Sequence, residues 1–522
     1  MSTTLAPRTV TRSSTGAAAD HARRAGAREW TALAVLMLPV LLVAVDATVL
    51  SFALPSISAS LNPTGAQLLW MIDIYSLVLA ALLVSMGSMA DRIGRRRLLM
   101  IGSFGFAVLS AVAAYAPTAE ALIASRALLG VFGAMLMPST LSLLRNIFAD
   151  RSQRRLAIAI WAAAFSGGAA LGPIVGGFLL EHFWWGSVFL MAVPVLGVFL
   201  VLAPIFVPES KDASPGPFDM VSIALSLAVM VPIVYAIKSI AKHGLSPTAV
   251  GMVIVGLAAG ALFVRRQLRR PQPMLDVRLF RQSAFTGSVL ANLLSIFSLV
   301  GFLFFISQYL QLVAGQGPMR AGISLLPGLV VTMVAGLAMV PLVRRVGPRV
   351  IITGGLLISA AGYVAVVFGA QQGSTMALLL AFVLLSLGIG AAETISNDVI
   401  LSSVPADKAG AASAISETAY ELGAVLGTAV LGGILTATYS AHVVLPAGLT
   451  ISAVTAFTAT ETLGGATVVA STLPAPQATE LLASAQQAFG SGVGTTSVIA
   501  AAVMLAAAAM VWFALRGTRT DS

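Results

Sequence analysis

The stretch "GSMADRIGRRRLL", Gly87 to Leu99, places one acid and four arginines between two apolar runs near residues 68–90 and 98–116. A bilayer core takes about 20 apolar residues per helix. The two runs therefore read as membrane helices and the charged residues as the turn between them. Gly94 permits a tight turn, and Asp91 can cap a helix end or pair with a base. Short loops rich in arginine face the cytoplasm.

The rest of the chain supports a membrane setting. It is 58% hydrophobic and only 10% charged, with mean hydropathy +0.95. Soluble domains run at about 45–50% apolar and about 25% charged. Backbone groups in lipid must be satisfied within their own segment, so long apolar runs mean helices. Such runs lie near 30–55, 68–90, 98–116, 119–142, 156–180 and 186–207, then 219–240 and 247–264. Six more lie near 284–312, 321–343, 349–370, 374–400, 410–437 and 492–515. The expected fold is all-α: a six-helix bundle over 30–207, two inserted helices and a cytoplasmic linker over 208–283, and a second six-helix bundle over 284–515. Residues 1–29 read as a disordered cytoplasmic tail and 516–522 as a second tail.

Arginine and lysine alternate between loops. One set holds Arg92, Arg95, Arg96 and Arg97, Arg145 to Arg155, Arg265 to Arg281, Arg344 to Arg349, and both tails. The opposite set holds only Lys238, Lys242 and Arg320. The first set and both termini are expected in the cytoplasm of a cell whose cytoplasmic membrane the chain spans. The net charge of +10 is thus spread over orientation signals, which excludes a nucleic-acid face. The loop 438–491 has no Lys or Arg and falls outside. Its Gly, Thr, Ser and Pro suggest turns and a short hairpin, either folded over the outer mouth or merely solvated.

Acids inside lipid-facing sequence demand an account. Asp46, Asp73, Glu393, Asp398, Glu417 and Glu421 fall within or at the ends of spans, against one base, Arg126. Glu417 and Glu421 are four residues apart and share a helix face. One reading is a hydrogen-bonded pair at a helix interface. The other is a polar cavity in which a desolvated carboxyl trades a proton for an organic cation. Tyr420, Trp70 and Tyr75 would then add cation–π attraction of about 0.5–2 kcal/mol.

Three motifs carry a family resemblance. The Gly87–Leu99 loop, with Gly87, Asp91, Arg92, Gly94, Arg95 and Arg96, resembles the signature between helices two and three of the major facilitator superfamily. A degenerate echo, "PLVRRVGPRV", Pro341 to Val350, stands at the equivalent place in the second half, as in an internally duplicated transporter. "LIASRALLGVFGA", Leu122 to Ala134, resembles the family's helix-four arginine motif. "GGAALGPIVGG", with Gly168, Gly172, Pro173, Gly176 and Gly177, resembles the signature of its exporter branches. "VDATVLSFALP" and "WMIDIYSLVLA" resemble motifs of the fourteen-helix drug:proton antiporters.

The resemblance implies proton-coupled efflux of lipophilic and quaternary ammonium cations. It implies coupling at Asp46 and Arg126, and cation binding at Asp73, Glu393, Glu417 and Glu421. A runner-up is an exporter dedicated to one antibiotic or lipid-like metabolite. The expected partners are cationic small molecules, protons and the bilayer, with no cofactor, no metal site and function as a monomer. Enzyme signatures are absent. No lysine follows a glycine, so no G-K-[ST] phosphate loop exists, and neither H-E-x-x-H nor G-x-S-x-G appears. Cysteine is absent, which removes disulfides and thiolate chemistry.

Overall fold

The computed structural model describes residues 25–212, 219–271, 273–405, 408–447, 449 and 451–516. Fourteen of its helices are long and apolar enough to cross a membrane. They are α1 (Ala27–Leu61), α2 (Gly65–Ile93), α3 (Arg95–Ala114), α4 (Ala119–Ile147), α5 (Ser152–His182), α6 (Ser187–Phe206) and α7 (Met220–His243). Then follow α8 (Pro247–Arg269), α9 (Ser283–Val313), α10 (Pro318–Val346), α11 (Pro348–Gln371), α12 (Thr375–Ser402), α13 (Gly410–His442) and α14 (Ala475–Ala514). The chain is a multi-pass membrane protein with the expected six, two and six helices.

The packing repeats itself. In the first half α1 lies on α5, α2 on α4, and α3 on α4 and α6. In the second half α9 lies on α13, α10 on α12, and α11 on α12 and α14. The two sets are the same pattern moved by eight helices, the mark of an internal duplication. The halves meet chiefly where α5 packs on α10 and α2 packs on α13. The inserted hairpin α7–α8 packs on itself, and α7 also touches both α2 and α13. The insertion therefore borders the seam between the halves.

Glycines set the closest helix approaches, because a Cβ at those places has no room. A Cβ on Gly168 would come 2.7 Å from the Ala44 Cβ, and one on Gly176 2.6 Å from a Val49 methyl. Gly172 has Thr48 directly against it, and the Thr48 hydroxyl donates to the Ala169 carbonyl at 3.0 Å. A Cβ on Gly177 would lie 2.6 Å from the Met319 Cα, and Gly322 of α10 faces the Pro173 carbonyl. The Gly168–Gly177 motif thus seats α5 on α1 and joins the two halves where the end of α5 meets the start of α10.

Three expectations need correction. Ala27–Glu29 are not tail: they form the first turn of α1, where the Glu29 carboxylate accepts the Gly26 N–H at 2.7 Å. Residues 1–24 and 517–522 lie outside the described residues. The outer segment is not a hairpin of turns but holds two short helices, Ala453–Glu461 and Leu463–Ala470. It also contributes the start of α14, which runs 40 residues from Ala475 instead of starting near 492. Residues 475–491 are rich in Ala and Gln with two Leu, good helix formers whose polar members hide the segment from an apolar-run search. Lastly, Lys238 is no outer-loop residue: it is buried within α7.

Candidate functional site

Arg126 of α4 reaches across to α1, where its Nη1 stands 3.0 Å from Asp46 Oδ2. Its Nε donates to the Met71 carbonyl of α2 at 3.1 Å. The guanidinium lies 4.6 Å from the Tyr75 ring centroid. Asp46, Tyr75 and Arg126 are all buried. A guanidinium in hydrocarbon is costly unless paired, and two other helices of the first half, α1 and α2, supply the pairing here.

Asp73, two residues from Tyr75, points elsewhere. Its Oδ2 lies 2.8 Å from Lys238 Nζ of α7. The same ammonium sits 3.8 Å from the Trp70 ring centroid. Asp73 and Lys238 are both buried. Arg126 is therefore not the only base within the spans. A single lysine in an otherwise apolar helix hardly lowers its hydropathy, and its partner lies 165 residues away, so sequence spacing gave no signal.

The three glutamates of the second half form a different environment. Glu393 of α12 and Glu417 of α13 are within electrostatic range of each other, and so are Glu417 and Glu421. Tyr420 stands among all three. All four side chains are half-buried. None of the three carboxylates has an ion-pair partner among the described residues. Ser76 of α2 lies beside Glu421. Glu417 is steadied from behind: Asn292 of α9 donates to the Ser416 hydroxyl at 3.1 Å, and that hydroxyl donates to Asn397 of α12 at 3.0 Å. Asp398 is exposed near the end of α12.

Glu417 lines a cavity of about 430 Å³ between α2, α4 and α13. Gly87, Asp91, Arg95, Arg145 and Trp161 also line it. The arginine-rich loop thus marks its mouth. Trp161 stacks on Phe165, ring centroids 6.3 Å apart, and Phe165 meets Tyr420 edge-on at 6.1 Å. An aromatic wall runs from the mouth to the glutamates. Trp70, Asp73 and Tyr75 do not line this cavity. Among the glutamates only Glu417 reaches the cavity, through mostly apolar walls, while Asp91, Arg95 and Arg145 stand at its mouth.

The motif loop is locked by residues the sequence reading did not single out. Asp91 pairs with Arg95 at 2.8 Å. The Glu209 carboxylate accepts the Arg96 and Arg97 N–H groups at 3.0 and 3.1 Å, satisfying the first turn of α3. The Ser210 carbonyl accepts the Arg95 N–H at 2.8 Å. Gly94 has φ +110°, which suits a glycine, and a Cβ there would come 2.8 Å from the Glu209 carboxyl.

The inserted hairpin has its own clamp, where the start of α7 meets the end of α8. Asp219 pairs with Arg266 at 2.8 Å and Arg270 at 3.2 Å. Burial works against its charge, but hydrogen bonds from Arg266 and Ser222 prevail and hold the carboxyl well below the usual range. On the linker, a hydrogen bond from Lys408 holds Asp276 low as well, at an ion-pair distance of 2.8 Å. At the outer end, Glu461 accepts from Lys242 at 2.6 Å and from the Gly65 N–H at 3.0 Å.

Fourteen membrane helices, twelve of them in two repeated bundles with a cavity between α2, α4 and α13, define a membrane transporter. The family model described as Major Facilitator Superfamily matches residues 36–428, and the chain belongs to that family. It is a transporter and not an enzyme. "Multidrug efflux pump LfrA" of Mycolicibacterium smegmatis is 59% identical over 493 residues, covering 94% of this chain and 97% of that protein. "Methyl viologen resistance protein SmvA" of Salmonella typhimurium is 38% identical, with 94% and 98% covered. The "Tetracenomycin C resistance and export protein" of Streptomyces glaucescens is 33% identical, with 93% and 91% covered. Among solved structures, a bacterial homolog of the human lysosomal transporter Spinster, in an inward-facing and unoccupied conformation, superposes with a TM-score of 0.65. At 17% identity over 94% of this chain and 97% of that one, it speaks for the fold alone.

Proposed function

We propose that the protein is a proton-coupled multidrug efflux antiporter. It exports lipophilic and quaternary ammonium cations across the cytoplasmic membrane and works as a monomer, with both termini in the cytoplasm. The observation that carries this reading is Glu417, which lines the cavity and belongs to a cluster with Glu393, Glu421 and Tyr420 whose carboxylates have no ion pair among the described residues. A carboxylate cluster with no fixed counter-ion must take one from solution, either a proton or a cationic cargo. Competition between the two for the same acids is the simplest form of antiport. Asp46 beside Arg126 is the proton-coupling pair of the first half. The relatives' printed names, multidrug efflux and methyl viologen resistance among them, support broad cationic cargo.

In each cycle the inward-facing cavity admits a cation from the cytoplasm, and the glutamates exchange protons for it. The Gly168–Gly177 contacts at the outer ends then part, and the cation leaves as protons from outside reload the acids. The test is export of a fluorescent lipophilic cation in proteoliposomes with an imposed proton gradient. Uphill export that collapses on adding a protonophore is expected. Export that ignores the gradient removes the antiport reading. Reporter fusions at residue 522 and within 265–283 should report cytoplasm.

A further inference from the structure

Lys238 poses a problem that the cavity does not. The ammonium and the Asp73 carboxylate are 2.8 Å apart and buried, and beyond each other they have few polar neighbours, Thr428 beside the carboxylate and the Trp70 ring beside the ammonium. A buried ion pair repays its desolvation only when the remaining lone pairs and protons are satisfied. A static tie between α2 and α7 would be better made of apolar side chains. The surroundings are also built for change. Asp73 faces Thr428, within the π-helical turn Gly427–Gly432 of α13. Such turns are found mostly at functional sites. Asp73 therefore stands where the first half, the second half and the inserted hairpin meet.

The recognition chemistry is that of a cation site. A carboxylate at 2.8 Å and an indole face at 3.8 Å are what an organic cation would receive, and the occupant is the hairpin's own lysine. We propose that Lys238 is a tethered counter-cation that exchanges with a proton on Asp73 during the cycle, which makes the inserted hairpin part of the coupling machinery. This rests on the antiport reading above. In the inward-facing state Lys238 neutralises Asp73. When α2 and α13 part at their outer ends, a proton from outside takes its place on the carboxylate. Lys238 is five residues from the outer end of α7, about 7.5 Å at 1.5 Å per residue. A lysine can span that by extending its stem along apolar surface and placing its charge in water. The exchange balances: one O–H bond forms on Asp73, one ion pair breaks, and Lys238 keeps its charge. When the outer end closes, Lys238 returns and the proton leaves. Asp46–Arg126 is built differently, since its guanidinium is held by the Asp46 carboxylate of α1 and by the Met71 carbonyl and Tyr75 ring of α2.

Other charged groups lie on elements packed against this part of α2. They are Lys242 of α7, Arg126 of α4, Asp46 of α1, Glu417 and Glu421 of α13, and Glu461 of the outer short helix. Among the described residues, Lys238 is the charged group that acts on Asp73.

The experiment measures uphill export of a lipophilic cation as a function of external pH, using the full chain in proteoliposomes. Wild-type export should rise as the outside is acidified. In D73N/K238M, with both charges removed at once, that dependence should flatten, and uphill export should fall at least tenfold at equal protein content. A purely structural pair predicts the opposite: the double variant keeps a wild-type pH profile and exports within twofold, which overturns the proposal. K238R provides a second variant that preserves the pair. Its planar guanidinium grips the carboxylate through two bonds and releases it slowly, so export should slow fivefold or more. An unchanged K238R rate also overturns the exchange. If wild-type export itself shows no proton dependence, the antiport reading fails first, and that outcome is distinct from a wild-type-like double variant.

Discussion

Asp46 and Asp73, in α1 and α2, each stand within 3.0 Å of a base supplied by another helix. Glu393, Glu417 and Glu421, in α12 and α13, have aromatic and hydroxyl neighbours but no ion pair among the described residues. Both groups solve the same problem, a carboxyl in a medium that penalises charge. The first half carries its counter-ions as part of the fold. The second half leaves them to be brought in from solution. Repeated packing has thus been given unequal electrostatics, and on the function proposed above the inequality separates acids that keep the cycle coupled from acids that hold cargo.

Four experiments press on this contrast. The largest effect is expected at Asp46. Asp46→Asn should abolish uphill export, because the first half then lacks its proton-cycling acid. Breaking a buried pair costs about 3–5 kcal/mol in soluble proteins. Arg126 keeps the Met71 carbonyl and the Tyr75 ring, so the protein should still reach the membrane. Wild-type pumping by this variant against a gradient removes Asp46 from coupling.

Next comes E417Q/E421Q. Glutamine retains shape and hydrogen bonding but not charge, so most cationic cargo should be lost, tenfold or more. Either single variant should weaken divalent dyes more than matched monovalent ones, since two positive centres use both acids. Equal losses for the two dyes, normalised to membrane level, would return the pair to a scaffold role.

A third variant would make the second half resemble the first. Ser76 adjoins Glu421, so Ser76→Lys supplies a tethered ammonium where none exists. Export of monovalent cations should drop several-fold, and S76M, similar in length and uncharged, should be affected much less. If lysine and methionine act alike, steric filling explains the loss and the charge argument at Glu421 falls.

The smallest effect concerns the hairpin's clamp. The Asp219 carboxyl is held below its ordinary value in the folded protein. Its stabilisation is therefore fully present above the unfolded value of about 3.9 and lost only as pH falls through the lower folded value. D219N should lower Tm by a few degrees. That deficit should stay constant between about pH 8 and pH 5 and narrow only in stronger acid. A deficit that changes near neutrality would mean that another group titrates there.

Much of the site could be read before any coordinates, for different reasons in different places. The arginine-rich loop after α2 declared its side of the membrane by charge alone. Glu417 and Glu421 declared a shared face by their spacing of four. Asp46 and Arg126, 80 residues apart, were linked only through family resemblance. Lys238 was misplaced because hydropathy averages over a window and one lysine vanishes in it. Glu209, which holds the first turn of α3, looked like an ordinary loop acid. Its role depends on α6 ending beside that turn.

The sequence by itself determined the solvent, the number of spans and the cytoplasmic signals, because hydropathy and loop charge act locally and add along the chain. It also determined which helix face carries each acid, since the period of a helix is fixed. Only the tertiary structure decided which acids have a cation. Ion pairing between Asp73 and Lys238, or its absence around Glu417, depends on a few ångströms between helices far apart in sequence. Such distances follow from close helix contacts, here Gly130 of α4 against the Tyr75 carbonyl of α2 and Gly433 of α13 against Ala241 of α7, which no local pattern encodes.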